Sequence, residues 1–163
     1  MKPRCVVDTN VVVSGLLSRA DGAPPQRVLK AMLAAELGFA LSVELLAEYR
    51  GVLLRPAIMA LHGLEEAEVD EILQRLALEA VEVDIGCAPE SSKGDATPIA
   101  VPHGVEPGDV HIARLALALP ACVLITGDRA LAAAMSSACE ALTAAEAQRL
   151  LESAPSRHKQ RGA

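Results

Sequence analysis

Residues 4–17 have the sequence RCVVDTNVVVSGLL, a Val-rich run that an aspartate, Asp8, interrupts near its start. A continuous run of β-branched apolar residues is typical of a strand buried on both faces, as in a parallel sheet that helices cover on either side. We therefore predict a first strand over residues 4–8, with Asp8 at its carboxyl end. Ligands of open parallel sheets bind beyond the carboxyl ends of the strands, so Asp8 is the first candidate for a functional site.

Short apolar stretches and helical patterns alternate along the rest of the chain. Ser42 precedes one helical pattern as an N-cap and Pro56 stops it, while Thr143 and Glu146 have the spacing of a capping box before another. The alternation predicts an α/β domain with a mainly parallel sheet. The further predicted strands are 39–42, 81–84 and 121–126, and the predicted helices are 26–37, 42–54, 64–80, 108–119, 128–137 and 144–152.

Two segments fit neither kind of element. Residues 86–107 are rich in Gly, Pro and Ser, which predicts a long irregular loop of the kind that often carries function. Residues 153–163 are basic and contain a proline, so we expect a mobile tail after a single domain over residues 1–152.

The composition limits the functions that the chain can have. The 163 residues are 52% hydrophobic but include one Phe, one Tyr and no Trp, which argues against aromatic platforms that stack single-stranded bases. With 15 basic and 21 acidic residues the net charge is -6, so no overall attraction to nucleic acid is expected. An acidic protein can still cut RNA where clustered carboxylates are neutralised by a divalent metal.

The pattern of apolar residues and cysteines predicts where the protein resides. No apolar run approaches the ~20 residues of a membrane-spanning helix, and the N-terminus lacks the features of a signal peptide. The cysteines Cys5, Cys87, Cys122 and Cys139 are widely spaced and show no zinc-binding pattern. We therefore expect a soluble, cytoplasmic protein with reduced thiols and no membrane association.

Four acidic residues occupy positions where a carboxylate is costly unless something binds it. Asp8 ends the first strand, and Asp128 follows the apolar run VLIT by one glycine. Glu48 and Asp109 each share a helix face with apolar residues, where an unpaired charge is expensive to bury. A shared divalent cation would remove that cost, and Mg²⁺ and Mn²⁺ prefer such oxygen ligands.

Polar side chains near the same strand ends complete the predicted site. Asn10, Ser14 and Thr126 are candidates to hold the carboxylates in place or to order water around a metal. His103 and His111 lie near the long loop, and histidines in such positions are more often surface or packing residues than substrate ligands.

Three of the four acids also have an ordinary structural explanation. Asp109 and Asp128 each precede a helical pattern and can serve as helix caps. Glu48 can pair with Arg50 or Arg55 on a partly exposed helix face. Asp8 has no comparable explanation, because an aspartate at the end of a buried strand has no routine structural role.

The chain resembles the PIN-domain nucleases in four segments, VVDTNVVVSGLL, SVELLAEYRGVLLRP, EPGDVHIARLAL and LITGDRAL, and it is similar to the VapC-like toxin components of toxin–antitoxin systems. The resemblance covers about residues 4–145. It implies a three-layer α/β/α sandwich around a central, mainly parallel sheet, and Mg²⁺- or Mn²⁺-dependent cleavage of RNA. It further implies a homodimer and a cognate antitoxin protein that occupies the groove.

The resemblance also implies roles for individual residues. Compared with its relatives, the chain has a thinner acidic run before Asp109, with Gly108 where another acid is common, and Glu106 is a possible substitute ligand. The family's acids, which act as metal ligands and catalytic residues, fall on Asp8, Glu48, Asp109 and Asp128, and its Asn, Ser and Thr fall on Asn10, Ser14 and Thr126.

Phosphate contacts would come from basic residues near the site, and the candidates by chain position are Arg19, Arg50 and Arg129. Three other hypotheses fit less well. A haloacid-dehalogenase-like phosphatase needs a second Asp at the position of Asn10, and a receiver-like domain needs paired acids before its first helix and a Lys after a late strand. A catalytically silent PIN domain that only binds RNA or protein should lack one of the four acids, and all four are present.

Overall fold

The computed structural model describes residues 4–85 and 99–154, which form one parallel sheet with helices around it. One set of paired strands has the order β1–β4–β5 and a second has the order β2–β3, and every pairing is parallel. A parallel bridge from Cys5 to Phe39 places β2 beside β1, so the strands follow the order β3–β2–β1–β4–β5. The strands are β1 Cys5–Val7, β2 Ala40–Leu41, β3 Val81–Glu82, β4 Val123–Ile125 and β5 Glu140–Leu142.

This order fixes where a ligand should bind. The chain proceeds outward from β1 through β2 to β3, then returns to the other side of β1 with β4 and β5, so the winding reverses between β1 and β4. The crevice at such a reversal, beyond the carboxyl ends of the two strands, is the usual ligand site of open α/β sheets. A ligand is therefore expected beside the residues that follow β1 and β4.

Helices cover the sheet and give a three-layer α/β/α sandwich, as the resemblance implies. Asp109 lies in a 3-10 turn, Pro107–Asp109, that precedes the sixth helix. The helices are α1 Thr9–Leu17, α2 Pro24–Leu33, α3 Val43–Leu53, α4 Pro56–His62, α5 Glu66–Glu79, α6 Val110–Leu117, α7 Arg129–Met135 and α8 Ala144–Ser153.

The core is built from aliphatic side chains, as the composition predicts. Every residue of β1 is buried, which confirms a strand enclosed on both faces. The only tyrosine, Tyr49 on α3, is fully buried, and its hydroxyl donates a hydrogen bond to the backbone carbonyl of Val7. This bond fixes α3 against the carboxyl end of β1, and leaving its acceptor unpaired would cost ~1–3 kcal/mol.

Two predicted caps are present. The Ser42 hydroxyl accepts from the backbone N–H of Leu45 at 3.1 Å and starts α3. Thr143 and Glu146 exchange the reciprocal bonds of a capping box at the start of α8. A helix cap depends on only a few neighbouring residues, and the structure confirms both predicted caps.

Several element boundaries differ from the sequence prediction. Residues 9–17, for which the sequence predicted no element, form α1 although three consecutive valines at 11–13 favour strands. The helix predicted to reach residue 37 ends at Leu33, and Ala35 adopts a positive φ of 55° just after it. Pro56 does end α3, but it also begins a further helix, since proline is favourable at a first helical position.

The sequence also missed one strand, and two of its predictions lie outside the described residues. Strand β5 has the sequence EAL, too short and too polar at its start to stand out. Residues 86–98 of the predicted loop and residues 155–163 of the predicted tail are not described; residues 99–106 contain neither helix nor strand.

The thiols and helices of the described residues give two further findings. Cys5 and Cys122 are buried, Cys139 is partly buried and all three are free thiols, while Cys87 lies outside the described residues. Within residues 4–85 and 99–154, no helix combines the length and the apolar character needed to cross a membrane.

Candidate active site

Asp8 and Thr126 meet at the reversal point of the sheet. Asp8 follows β1 and Thr126 follows β4, and both are buried, with 6% and 3% of their surface exposed. The Thr126 hydroxyl donates to Asp8 Oδ2 at 2.6 Å, and the Asn10 side chain donates to the same oxygen at 3.2 Å. The backbone N–H of Asp8 donates to the carbonyl of Ile125 at 2.9 Å. The Asp8 carboxylate is therefore held at Oδ2 by Thr126 and Asn10, and a backbone hydrogen bond from Thr9 adds to these contacts.

The electrostatic surroundings of Asp8 are unfavourable for its charge. Burial raises the pKa of Asp8, the hydrogen bonds from the Thr126 hydroxyl and the Thr9 backbone oppose that rise, and the negative charges of Glu48 and Asp128 add to it. In the part of the chain that the structure describes, no Lys or Arg forms an ion pair with Asp8, Asp109 or Asp128. Negative charge thus accumulates here without a basic side chain to balance it.

Glu48 reaches the same crevice from α3. Its Oε2 accepts a hydrogen bond of 2.6 Å from the Thr9 hydroxyl and lies 3.0 Å from Nε2 of His111. The buried Tyr49 beside it fixes the helix, and the charges of Asp8 and Glu48 both raise the pKa of that tyrosine beyond the effect of burial. Glu48 is thereby placed beside Asp8.

The alternative pairing of Glu48 with Arg50 or Arg55 is wrong. The guanidinium of Arg50 binds Asp70 at 2.7 Å and Glu66 at 2.6 Å on the α5 side. Arg50 therefore belongs to an exposed ion-pair network between α3 and α5, and its predicted role in RNA binding competes with these two carboxylate partners.

Asp109 comes to the site from the 3-10 turn before α6. Partial burial raises its pKa, and the charges of Asp8, Asp128, Glu48 and, last, Glu106 raise it further. Its side chain makes no capping hydrogen bond to α6, so the explanation of Asp109 as a helix cap is wrong. Glu106 is exposed, and its negative charge contributes to the raised pKa of Asp109.

Asp128 does serve as a helix cap. Its Oδ1 accepts from the backbone N–H groups of Ala130 at 2.8 Å and Leu131 at 3.1 Å, which begins α7. Its own backbone N–H donates to the Thr126 hydroxyl at 3.0 Å. Its second oxygen, Oδ2, makes no hydrogen bond within the described residues. A structural role for one oxygen and a ligand role for the other are therefore compatible.

These four side chains, which we call the site acids, come from four separate elements and are close enough for their charges to interact. Within the described residues Asp8, Asp109 and Asp128 form no ion pair with Lys or Arg, and such carboxylate oxygens fit a hard divalent cation, which would reduce their repulsion. Among the described residues no three His, Cys, Asp or Glu side chains form a ready-made ligand set. The donor set suits a cation such as Mg²⁺ that keeps several water ligands.

The remaining predicted residues lie around this crevice. Ser14 is exposed and lines a cleft of about 250 Å³ with Asn10 and Gly127, and its side chain makes no hydrogen bond to any described residue. The Gly127 backbone N–H donates to the Asn10 side chain at 3.2 Å. Arg129 is exposed at the start of α7, directly after Asp128, and Arg19 is exposed beyond the end of α1. Their roles toward RNA remain predictions.

Sequence reasoning undervalued two residues that contact a site acid. Thr9 and His111 both bond Glu48, and their distances in sequence from it, 39 and 63 positions, exceed anything that helical periodicity can connect. Both residues could have been noticed from their neighbours in sequence, because Thr9 follows Asp8 and His111 lies two residues after Asp109. His111 was instead interpreted as a surface or packing residue, which is the usual role of a histidine near a loop.

The fold and the site define an α/β/α protein with a rigid acidic crevice at the reversal point of its sheet. The chain matches the family model described as PIN domain over residues 4–130, which is more than half of its 163 residues. It therefore belongs to the PIN-domain family, whose members are generally nucleases. No curated protein and no solved structure gives a significant match.

Proposed function

We propose that the protein is a divalent-metal-dependent ribonuclease that hydrolyses phosphodiester bonds at the four site acids. The observation that carries the proposal is the meeting of Asp8, Glu48, Asp109 and Asp128 at one crevice with no Lys or Arg ion pair to Asp8, Asp109 or Asp128 in the described part of the chain. Family membership supports nuclease chemistry, and PIN nucleases typically use divalent metals.

In the proposed mechanism, Asp8, Asp109 and Asp128, with Glu48, would hold Mg²⁺ or Mn²⁺. A divalent cation supplies Lewis acidity, which activates water and stabilises the charge that develops on a scissile phosphate. Thr126 and Asn10 hold the Asp8 carboxylate in place through Oδ2. Glu48, whose Oε2 already has two partners, offers Oε1 to orient the attacking water.

The test is cleavage of a labelled single-stranded RNA, and of DNA with the same sequence, with Mg²⁺, Mn²⁺ or EDTA. We expect RNA cleavage that EDTA abolishes, with products that carry a 5′-phosphate and a 3′-hydroxyl because water is the nucleophile. Cleavage that survives EDTA, or products with a 2′,3′-cyclic phosphate, would contradict the mechanism. Cleavage of the DNA alone would overturn the RNA assignment and leave the nuclease chemistry standing.

The toxin role, the cognate antitoxin and the homodimer stay predictions that rest on the resemblance. A small upstream reading frame that overlaps this one and encodes a DNA-binding antitoxin would support the toxin role, and its absence would favour a housekeeping or orphan nuclease. A monomer mass in light scattering at micromolar concentration would exclude the homodimer. A silent PIN domain is disfavoured, because the four site acids remain and converge.

A further inference from the structure

Among the described residues, His111 has one hydrogen-bond partner, and that partner is a site acid. Its Nε2 lies 3.0 Å from Oε2 of Glu48, and the two side chains are 21% and 33% exposed. His111 lies in the first turn of α6, two residues after Asp109. The imidazole is thus partly buried between two elements that each supply a site acid.

The bond has a defined direction. A carboxylate only accepts hydrogen bonds, so Nε2 of His111 carries the proton and donates it to Glu48. The Thr9 hydroxyl donates to the same Oε2 at 2.6 Å. Two donors from different elements therefore occupy one oxygen of Glu48, and its other oxygen, Oε1, has no hydrogen-bond partner among the described residues.

A second histidine shows what a purely structural ring looks like in this chain. His62, at the end of α4, contacts the backbone carbonyl of Leu53 at 2.9 Å and accepts from the backbone N–H of Leu64 at 3.0 Å. Both of its ring nitrogens contact the backbone, and neither contacts a site acid. The His111 ring instead contacts the carboxylate of Glu48, one of the site acids, which is 33% exposed.

We propose that His111 is a positioning residue that, with Thr9, fixes the Glu48 carboxylate so that Oε1 faces the reacting groups. The inference rests on the proposed function for its catalytic consequence, since orientation of Glu48 matters for cleavage only if Glu48 acts there. The expected effect of His111 on metal affinity does not depend on RNA cleavage, because metal binding can be measured by itself. Hydrogen-bond partners of metal ligands typically affect metal affinity or activity by 10–100-fold.

The experiment compares His111→Gln, which keeps an N–H donor at the same reach, with His111→Leu, which removes it. We expect His111→Leu to lower kcat by roughly 10-fold or more with KM changed by less than about 2-fold, and to weaken Mn²⁺ binding by a similar factor in calorimetry. His111→Gln should stay within about 3-fold of wild type in both measurements. His62→Leu is the matched control, and we expect it to lower Tm while kcat and Mn²⁺ affinity are retained.

A double-mutant cycle with Glu48→Ala shows whether His111 acts through Glu48. In the Glu48→Ala background, His111→Leu should cause no further loss of kcat, because the group that it positions is gone. An equal loss in both backgrounds, or wild-type kcat and Mn²⁺ affinity in His111→Leu, would overturn the proposal. If the wild type binds Mn²⁺ but cleaves no RNA, the proposed function fails while the calorimetric comparison still decides the role of His111.

Discussion

The Thr126 hydroxyl donates a 2.6 Å hydrogen bond to Asp8 Oδ2 although the two residues are 118 positions apart in the chain. The same hydroxyl oxygen accepts the backbone N–H of Asp128 at 3.0 Å. One buried side chain thus joins the ends of β1 and β4 and sets the spacing of two site acids. The relationship links the fold directly to the chemistry, because the sheet pairing that positions Thr126 also positions both carboxylates.

Thr126→Val should remove that link while nearly preserving side-chain volume. The buried Asp8 oxygen and the Asp128 N–H each lose a partner, so we expect a loss of ~1–3 kcal/mol in the free energy of unfolding and a lower kcat. Urea denaturation and steady-state cleavage measure the two effects. Thr126→Ser keeps the hydroxyl and should retain most of both, whereas equal effects of Val and Ser would contradict the hydrogen-bond explanation.

Asp8→Asn should stabilise the metal-free protein. Asn can place its amide oxygen where Oδ2 accepts from Thr126 and Asn10, while the buried negative charge and its repulsion with Glu48 and Asp128 are removed. We expect Tm in EDTA to rise by roughly 2–4 °C, which is the effect of ~1 kcal/mol in a domain of this size. Asp70→Asn is the control: it breaks the ion pair with Arg50 and should not raise Tm. A lower Tm for Asp8→Asn than for wild type would show that the carboxylate is not under repulsion.

The metal-free protein should gain stability as the pH falls through the raised folded-state pKa values of Asp8 and Asp109. Burial and neighbouring charges raise the pKa of Asp8 and of Asp109 above 3.8, so between 3.8 and the raised values the folded state binds more protons than the unfolded state. Their destabilising effect is present above the folded-state pKa and disappears as the pH falls through it. Urea midpoints in EDTA for wild type and for the double variant Asp8→Asn, Asp109→Asn measure this, and the double variant should gain less.

Further acidification should reverse the gain. Hydrogen bonds to Arg50 lower the pKa of Asp70, and those to Thr143 lower the pKa of Glu146. The stability that these groups contribute is lost as the pH falls through their folded-state values, which lie below 3.8 and 4.5 respectively. A wild-type stability that falls at every step of acidification, with no rise before Asp70 and Glu146 are protonated, would contradict the prediction for the site acids.

Substitution of Asp128 separates its two roles. Asn is as good an N-cap as Asp, so Asp128→Asn should keep the free energy of unfolding within about 0.5 kcal/mol while it lowers kcat. Asp128→Ala should lose the bonds to Ala130 and Leu131 and cost ~1 kcal/mol as well. If Asp128→Asn cleaves RNA at the wild-type rate, Asp128 is a helix cap and nothing more.

The sequence predicted the parts of this architecture that depend on short segments. Asp8 at the end of a buried strand and the caps at Ser42 and Thr143 each need only a few neighbouring residues, and the structure has all three. The parallel sheet follows from the alternation of strands and helices. Strand β5 was missed because pairing with β4, rather than any pattern of its own, makes the residues EAL a strand.

Contacts between segments that are distant in the chain could not be predicted from the sequence alone. The bond between His111 and Glu48 depends on how α3 and α6 pack, and neither helix encodes the other's position. The competing explanations of Asp109 and Glu48 were likewise decided by tertiary contacts: Asp109 caps nothing, and Arg50 is engaged by Asp70. Local sequence patterns therefore predicted the four site acids, whereas the residues that contact these acids depend on how the helices and strands pack.

The most direct test of the central claim measures cleavage of one labelled RNA by wild type, Asp8→Asn and Asp109→Asn, each with saturating Mn²⁺ and with EDTA. If the site acids form one metal-dependent nuclease site, wild type cleaves only with Mn²⁺, and each variant loses roughly 100-fold or more of that rate while remaining folded by circular dichroism. Mn²⁺-dependent cleavage at the wild-type rate in either variant would contradict the account.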